Sequence, residues 1–404
     1  MKKLALGLSE ARDLTLAGLS PLPAEKVGLL DAAGRVAARG LSAQVDSPTE
    51  AVSRKDGFAV TLREVAQATP EHPVSLRVLG VMTAGGREEV ALAPGGTVKV
   101  FTGARLPRGT DAVVPEEQVR PAPDGVLILN PVRPGLNVLP RGSDVAAGRA
   151  LVQAGEIITP VRLGLLAAAG VARLAVYGRP RVGIVGIGDE LVEPGRPLAP
   201  GKVYASNIVT LAGLCQRYGF RPRLTVVADE HGPVAQALTT LSPATDVVIT
   251  SGGAWFGDRD IVAGVLESLG WEQVFHRIRI GPGKAVGFGR LAGKPVFILP
   301  GGPPSNLMGF LQIALPGLLT LAGWADPGLP QAQACLAEDL GEGHPAWTDF
   351  FFGTLFPGPE VPLFHPLPKR CRLGAIAQAT AVAAIPEGQD RLPAGTRLAV
   401  QLLA

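Results

Sequence analysis

Between residues 179 and 326, short and nearly continuous apolar runs alternate with segments whose apolar residues follow helical spacing. Apolar runs separated by helices are typical of a parallel sheet covered on both faces. The pattern therefore predicts a doubly wound α/β domain, whose ligands bind beyond the carboxyl ends of the strands. The predicted strands are 182–185, 224–227, 246–249 and 296–299, and the predicted helices are 206–218, 233–241, 259–269 and 305–321.

The remaining chain divides into regions of different pattern. Residues 1–45 and 141–178 have helical apolar spacing, and Thr159-Pro160 is a good helix start in the second region. Residues 46–140 alternate short β-rich runs with Gly/Pro turns, which predicts a β domain. Residues 327–404 are again β-rich and Pro-rich and predict a small C-terminal β domain.

Composition limits the classes of function that are open to the chain. The 404 residues are 47% hydrophobic and 18% charged, with a net charge of +3. So small a charge provides little field to attract nucleic acid. Cys215, Cys335 and Cys371 are too few and too far apart for a disulfide framework, and the five histidines lack zinc-binding spacing. The apolar start of the chain is interrupted by Ser9 and Glu10, and no run is long enough to span a membrane. We expect a soluble, cytoplasmic protein.

Polar or flexible residues follow each predicted strand of the α/β domain. Glycines at such turns let a ligand approach backbone N–H groups, Lys284 offers a charge for an oxyanion, and carboxylates suit Mg²⁺ beside phosphate oxygens. The convergence of these turns predicts a site for a polyanionic small molecule bound with Mg²⁺. The segments are 186–190 (GIGDE), 228–230 (ADE), 251–260 (SGGAWFGDRD), 280–284 (IGPGK) and 299–305 (LPGGPPS).

Each segment also has a structural interpretation. Gly252-Gly253 after a strand is often only a tight turn. Asp258 and Asp260 are acids placed where they would favour the first turn of a helix. The sequence is compatible with both interpretations.

Several longer motifs, in one order along the chain, resemble the MoeA family, the molybdopterin molybdenumtransferases. Residues 55–60 (KDGFAV) are similar to the family's MDGYAV, and residues 102–114 (TGARLPRGTDAVV) to its TGAxLPxGADAVV. Residues 141–148 (RGSDVAAG) are similar to RGxDxxxG, and residues 188–195 (GDELVEPG) to the family's GDELxxPG. Ser206-Asn207, residues 282–284 (PGK) and residues 299–301 (LPG) complete the set.

The resemblance implies a subunit with four parts. These are an elongated helical domain formed by 1–45 and 141–178, a β domain at 46–140, an α/β molybdopterin-binding domain at 179–326 and a C-terminal, barrel-like β domain at 327–404. It also implies a homodimer whose site lies between the α/β domain of one subunit and the β domain of the other. The implied partners are adenylylated molybdopterin and other proteins of molybdenum cofactor biosynthesis.

The implied reaction inserts molybdate, as substrate, into adenylylated molybdopterin with Mg²⁺ and releases AMP. Family residues carried over by position give three sets of candidates. The catalytic candidates are Asp56, Asp144, Glu190, Asp260 and Lys284; the substrate-binding candidates are Thr102, Asp229, Gly252, Gly253 and Ser305; the metal-binding candidates are Glu190 and Asp260.

This chain departs from the family's pattern near the oxyanion position. Trp255-Phe256 replace Ser-Val, Ala263 stands where a lysine is usual, and Gly281 replaces a basic or polar residue before PGK. Three functions therefore remain open: an active insertase, a non-catalytic scaffold that binds molybdopterin or partner proteins, and a MogA-like adenylyltransferase that uses ATP. The full multidomain layout and the retained acids favour the insertase.

Overall fold

The computed structural model describes residues 6–253, 261–341, 343–369 and 371–403. A six-stranded sheet forms the centre of the α/β domain, and its first four strands in spatial order are parallel. The last two strands form an antiparallel edge that the apolar pattern did not predict. In spatial order the strands are Arg221–Val227, Arg181–Ile187, Val247–Gly252, Lys294–Leu299, Gly287–Leu291 and Glu272–His276.

Helices cover both faces of this sheet, so the predicted doubly wound fold is confirmed. Val182, Ile184 and Phe297 pack in the core on one face, and Val185, Ile187 and Ile298 pack in the core on the other. One stretch of π-helix, Phe310–Ala314, connects the last two helices. The helices are Ser206–Arg217, His231–Ala244, Ile261–Ser268, Pro303–Gly309 and Leu315–Leu321, and a short pair of strands, Leu191–Val192 and Val203–Tyr204, precedes the first.

The β domain is a second six-stranded sheet, and all of its strands fall within the predicted β-rich region. Neighbouring strands are antiparallel except for one parallel pair, Val74–Met82 with Gly96–Val100. Phe58, Leu76 and Val114 lie in its core. In spatial order the strands are Ala112–Pro115, Gly57–Val60, Gly96–Val100, Val74–Met82, Gly125–Ile128 and Val119–Ala122; the short helical segments Leu62–Val65 and Glu116–Gln118 lie between strands.

The helical prediction for residues 1–45 and 141–178 is only partly correct. Helices form at Leu8–Ala17 and at Pro160–Ala168, where Thr159 caps the second one as its sequence predicts. Beyond Ala17 the chain forms short strands, because Pro21 and Pro23 interrupt a helix and three strands distant in sequence supply backbone partners. The strand pairs are Ala24–Gly28 with Arg173–Tyr177, Leu41–Ser42 with Ala150–Val152, and Val52–Ser53 with Val138–Leu139; Leu30–Ala32 is a single 3₁₀ turn.

A closed barrel forms the C-terminal part of the chain, as predicted. Closure arises because Thr348–Phe356 pairs with two different neighbours in the ring. A short strand of the α/β region, Ile278–Gly281, pairs in parallel with the start of Thr348–Phe356 and so joins the two regions. The barrel strands are Gln331–Leu336, Thr348–Phe356, Leu363–Pro366, Ala381–Ile385 and Arg397–Leu402, with a short helix at Leu373–Ile376.

Across the described ranges, no helix is both long enough and apolar enough to cross a membrane.

Candidate active site

A cleft of about 600 Å³ opens where the parallel strands of the α/β domain end. The residues that follow four of its strands meet there, as expected for the carboxyl edge of such a sheet. The cleft is lined by residues 187–191, 203–208, 251–253 and 300–303 together with Asp229. Of the candidates, Glu190, Asp229, Gly252 and Gly253 therefore share one cavity.

A larger cavity of about 930 Å³ lies elsewhere, between the first helix, residues 155–162 and the start of the barrel. Its lining includes Arg12, Gln312 and Trp324. None of the candidate site residues that the structure describes line it, and none of the strand ends of the α/β sheet do. The smaller cleft is therefore the better candidate for the active site.

Gly252 and Gly253 are required by the protein's own packing. Gly252 has a φ of +95°, and a Cβ there would lie 2.2 Å from the Ile187 carbonyl oxygen. Gly253 has a φ of +67°, and its Cβ would lie 2.7 Å from the Val262 side chain. Left-handed backbone and close approach each favour glycine. A tight turn after the strand is therefore enough to explain why both residues are glycine.

Gly301 and Gly302 lie on the facing wall, and no described residue packs so closely that it requires glycine there. A Cβ at Gly302 would have no described neighbour within 4 Å, and one at Gly301 would make only an ordinary 3.5 Å contact with Gly252. Both residues are exposed to the cleft. Because packing does not require glycine at these two positions, the exposed backbone there is available for the close approach of a ligand.

Two asparagines, which sequence reasoning did not select as site residues, hold the walls of the cleft together. Asn306 is 2% exposed, and its Nδ2 donates to Ser251 Oγ at 2.9 Å and to the Pro300 carbonyl at 2.8 Å. Asn207 Nδ2 donates to the Gly301 carbonyl at 2.7 Å. A polar amide next to Ser305 at the start of an otherwise apolar helix was the available signal for Asn306.

The acids of the cleft have different surroundings. Asp189 Oδ1 accepts a hydrogen bond from the Asp229 backbone N–H at 3.0 Å, which fixes one turn against the next. The Glu190 carboxylate lies over Gly188, whose added Cβ would be 2.6 Å from Glu190 Oε2. Glu190 is exposed to the cleft, while its backbone carbonyl accepts a hydrogen bond from the Val203 N–H at 2.8 Å. Glu190 therefore offers a carboxylate to a bound ligand.

The described acids of the cleft supply part of a ligand set for a divalent cation. Within the described part of the chain, no three His, Cys, Asp or Glu side chains form a ready-made metal cluster. Glu190 and Asp229 nevertheless line one cleft. Mg²⁺ is commonly held by one or two carboxylates plus phosphate oxygens and water, so this donor set fits it.

Lys284 and Ser305 are not among the residues that line the cleft, but the segments that carry them are in contact with each other. A Cβ at Gly283 would lie 3.3 Å from the Ser305 carbonyl oxygen and 3.5 Å from the Gly309 amide nitrogen. Ser305 precedes Asn306, which contacts the cleft wall. Lys284 is exposed. The loop of residues 280–284 thus packs on the helix that begins at the cleft.

Asp56, Thr102 and Asp144 do not line the cleft, since they lie outside the α/β domain. Thr102 donates from both its backbone N–H and its Oγ1 to Asp56 Oδ1, each at 2.7 Å. These hydrogen bonds, the backbone one above all, hold the pKa of the Asp56 carboxyl below its usual range. Asp144 is exposed, and its backbone N–H donates to the Ser47 carbonyl at 3.0 Å.

The remaining predictions concern the segment after Gly253. Trp255, Phe256, Asp258 and Asp260 lie outside the described residues, so their proposed roles stay predictions. Ala263 is 2% exposed and does not line the cleft. The interpretation of Ala263 as a cation missing from the cleft therefore gains no support.

These features define a multidomain α/β protein with a polar, glycine-walled cleft at the carboxyl edge of its sheet. Residues 6–170 match the family described as "MoeA N-terminal region (domain I and II)", and residues 183–320 match "Probable molybdopterin binding domain". The chain is 34% identical over 387 residues to molybdopterin molybdenumtransferase 2 of Mycobacterium tuberculosis, covering 93% of this chain and 94% of the relative. It therefore belongs to the molybdopterin molybdenumtransferase family, which confirms the resemblance seen in the motifs.

Other relatives agree with this assignment. The molybdopterin molybdenumtransferase of Haemophilus influenzae is 34% identical over 328 residues, covering 80% of both chains. Among solved structures, a molybdopterin biosynthesis MoeA protein from Pyrococcus horikoshii has a TM-score of 0.82 at 30% identity and covers 98% of this chain and 99% of its own. This structural match covers nearly the whole chain, and together with the named relatives it confirms the predicted family, fold class and enzyme class.

Proposed function

We propose that this protein inserts molybdate into adenylylated molybdopterin and releases AMP during molybdenum cofactor biosynthesis. One observation carries the proposal: four strand-end turns of a molybdopterin-binding type of domain enclose a single cleft that combines exposed carboxylates with bare backbone. A pterin that carries phosphates and an oxyanion needs both kinds of group.

We assign two steps to the cleft. Water attacks the bond between the AMP and pterin phosphates and releases AMP. The two pterin thiols then bind molybdenum, and their protons leave with one molybdate oxygen as water. Gly301 and Gly302 would let the pyrophosphate approach the wall, and Lys284 would attract the molybdate dianion. Glu190 and Asp260 would hold Mg²⁺, which shields the pyrophosphate charge when bound. Asp229 and Ser305 would orient substrate. No covalent protein nucleophile is needed.

The proposal includes a homodimer with a shared site. Asp56, Thr102 and Asp144 lie outside the cleft of their own subunit. The hydrogen bonds between Thr102 and Asp56 keep that carboxylate charged and fixed in place. Such a preorganised pair, exposed on the β domain, suits a role at the cleft of a second subunit. We place the protein in the cytoplasm, since its three cysteines are free thiols, as is usual in a reducing compartment.

The test is AMP release from adenylylated molybdopterin with Mg²⁺, before and after molybdate is added. We expect release that depends on molybdate, with a rate that falls about 100-fold in Glu190→Gln, since one charged group in such a site is often worth that much. Glu193→Gln is the matched control, because Glu193 forms an exposed ion pair with Arg196 and does not line the cleft. A wild-type protein that binds the pterin but never releases AMP would instead be a scaffold, and one that consumes ATP would be an adenylyltransferase.

The shared site has its own experiment. Subunits that carry Asp56→Asn or Glu190→Gln are inactive alone under the proposal. A verified heterodimer of the two contains one intact site, so AMP release should partly return. If such heterodimers stay inactive, each site is built within a single subunit.

A further inference from the structure

A buried acid of the terminal barrel touches the loop that carries Lys284. Asp349 is 4% exposed, and a Cβ at Gly281 would lie 2.0 Å from Asp349 Oδ1. Their backbones are also partners in the parallel pairing that joins Ile278–Gly281 to the barrel. Position 281 is therefore glycine in this chain because the Asp349 carboxylate occupies the space that a side chain would fill.

The Asp349 carboxylate is itself fixed on both oxygens. Oδ2 accepts a hydrogen bond from the His344 backbone N–H at 2.7 Å. Oδ1 lies 3.7 Å from Lys369 Nζ, and that ammonium group also lies over the Phe351 ring at 5.7 Å. A nearby cation offsets the negative charge that Asp349 would otherwise add beside an oxyanion site. Asp349 can therefore support the loop without strongly repelling an anion.

Contacts continue from this acid to the cleft. Asp349 meets Gly281, and Gly283 meets the carbonyl of Ser305 at the distance already given. The next residue, Asn306, bonds to the two walls of the cleft. The loop of residues 280–284 is thus held between the barrel on one side and the cleft-bearing helix on the other.

We propose that Asp349 is a positioning residue, which acts through Gly281 to hold the loop of residues 280–284 and so orient Lys284 toward the bound oxyanion. This inference rests on the proposed function for the identity of the anion. It assigns the terminal barrel a part in oxyanion binding, through a contact that crosses between the two regions.

The first test compares molybdate affinity, by calorimetry, in Gly281→Ala, Asp349→Ala and the double variant. The added methyl of Gly281→Ala collides with Asp349, so we expect molybdate to bind about tenfold more weakly, the loss expected when a charge-assisted contact is displaced. Removing the carboxylate in the double variant makes room for that methyl, so its affinity should equal that of Asp349→Ala alone. Two variants are the controls: Gly341→Ala, at a glycine of the barrel region whose Cβ would have no described neighbour within 4 Å, and Asp339→Asn, at an exposed acid of the barrel region.

A second test separates positioning from general loss of structure. If Asp349 acts through Lys284, Asp349→Asn weakens molybdate binding in the wild-type background but not in Lys284→Ala. Equal losses in both backgrounds, or unchanged affinity in folded Asp349 variants, would overturn the inference.

The rate of trypsin cleavage after Lys284, followed by mass spectrometry, measures how firmly the loop of residues 280–284 is held, and it needs no ligand. We expect faster cleavage in Asp349→Asn than in Asp339→Asn. A wild-type protein that binds no molybdate would contradict the proposed function, but the cleavage rates would still test the positioning role of Asp349. Equal cleavage rates in the two variants would refute that role.

Discussion

Alanine substitutions at two glycines of the same cleft, Gly252 and Gly302, should have opposite consequences. Gly252 combines a φ of +95° with a Cβ position 2.2 Å from the Ile187 carbonyl oxygen, inside a parallel strand pair that cannot easily move. Gly302 has a φ of −69°, which any residue adopts, and no described neighbour within 4 Å of its Cβ position. The first glycine serves packing, and the second leaves space in the cleft.

The magnitudes follow from these geometries. A non-glycine residue in left-handed backbone costs about 1–3 kcal/mol, and overpacking against fixed atoms costs about 1–3 kcal/mol more. Gly252→Ala should therefore lower the free energy of unfolding by about 2–6 kcal/mol. Gly302→Ala should change it by less than about 0.5 kcal/mol, as surface substitutions do, yet weaken binding of adenylylated molybdopterin about tenfold because the methyl group blocks close approach.

Urea unfolding and calorimetric titration with adenylylated molybdopterin measure the two effects separately. A Gly252→Ala protein as stable as the wild type would refute the packing role of Gly252. A Gly302→Ala protein that binds the pterin with wild-type affinity would show that the ligand does not approach that wall.

Two further predictions concern stability. Burial above all, with a smaller effect of the nearby Arg277, lowers the pKa of the His276 imidazole to about 4. In the unfolded chain the same imidazole takes up a proton near pH 6.5. The free energy of unfolding should therefore fall as the pH drops from about 6.5 to 4, by up to about 1.4 kcal/mol per pH unit. Urea unfolding at pH 7.5 and 4.5 should show a smaller fall in His276→Leu, and an equal fall in both proteins would exclude His276 as the cause. Asn306→Ala leaves the Pro300 carbonyl without its amide donor, so it should lower the free energy of unfolding by about 2–4 kcal/mol. A decrease of less than about 0.5 kcal/mol in the same assay would show that the hydrogen bonds of Asn306 do not hold the cleft walls together.

Local pattern was sufficient to predict much of the α/β domain. Predicted strand 182–185 lies inside Arg181–Ile187, and predicted helix 206–218 differs from Ser206–Arg217 by one residue. Apolar runs between Gly turns define such elements with little help from distant partners. The strand Ala24–Gly28 was missed because its pairing partner lies near residue 175, and no local signal reports that partner.

The candidate site, like the fold, could be predicted from the sequence only in part. Glycines and acids at strand ends predicted which turns would meet, because parallel strands end at one edge. The contact of Asp349 with Gly281 could not be predicted, since it depends on how the barrel docks on the α/β region. The roles of Gly252 and Gly302 also required coordinates, because φ values and Cβ neighbours are not visible in the letters of the sequence.

The most direct measurement of the central claim is the amount of molybdenum incorporated into pterin per AMP released in a single turnover with Mg²⁺ and molybdate. The proposed function predicts equal amounts, with both reduced together in Glu190→Gln and Lys284→Ala. AMP release without incorporated molybdenum would identify a hydrolase, and pterin binding with neither product would identify a scaffold. Either result would contradict the account.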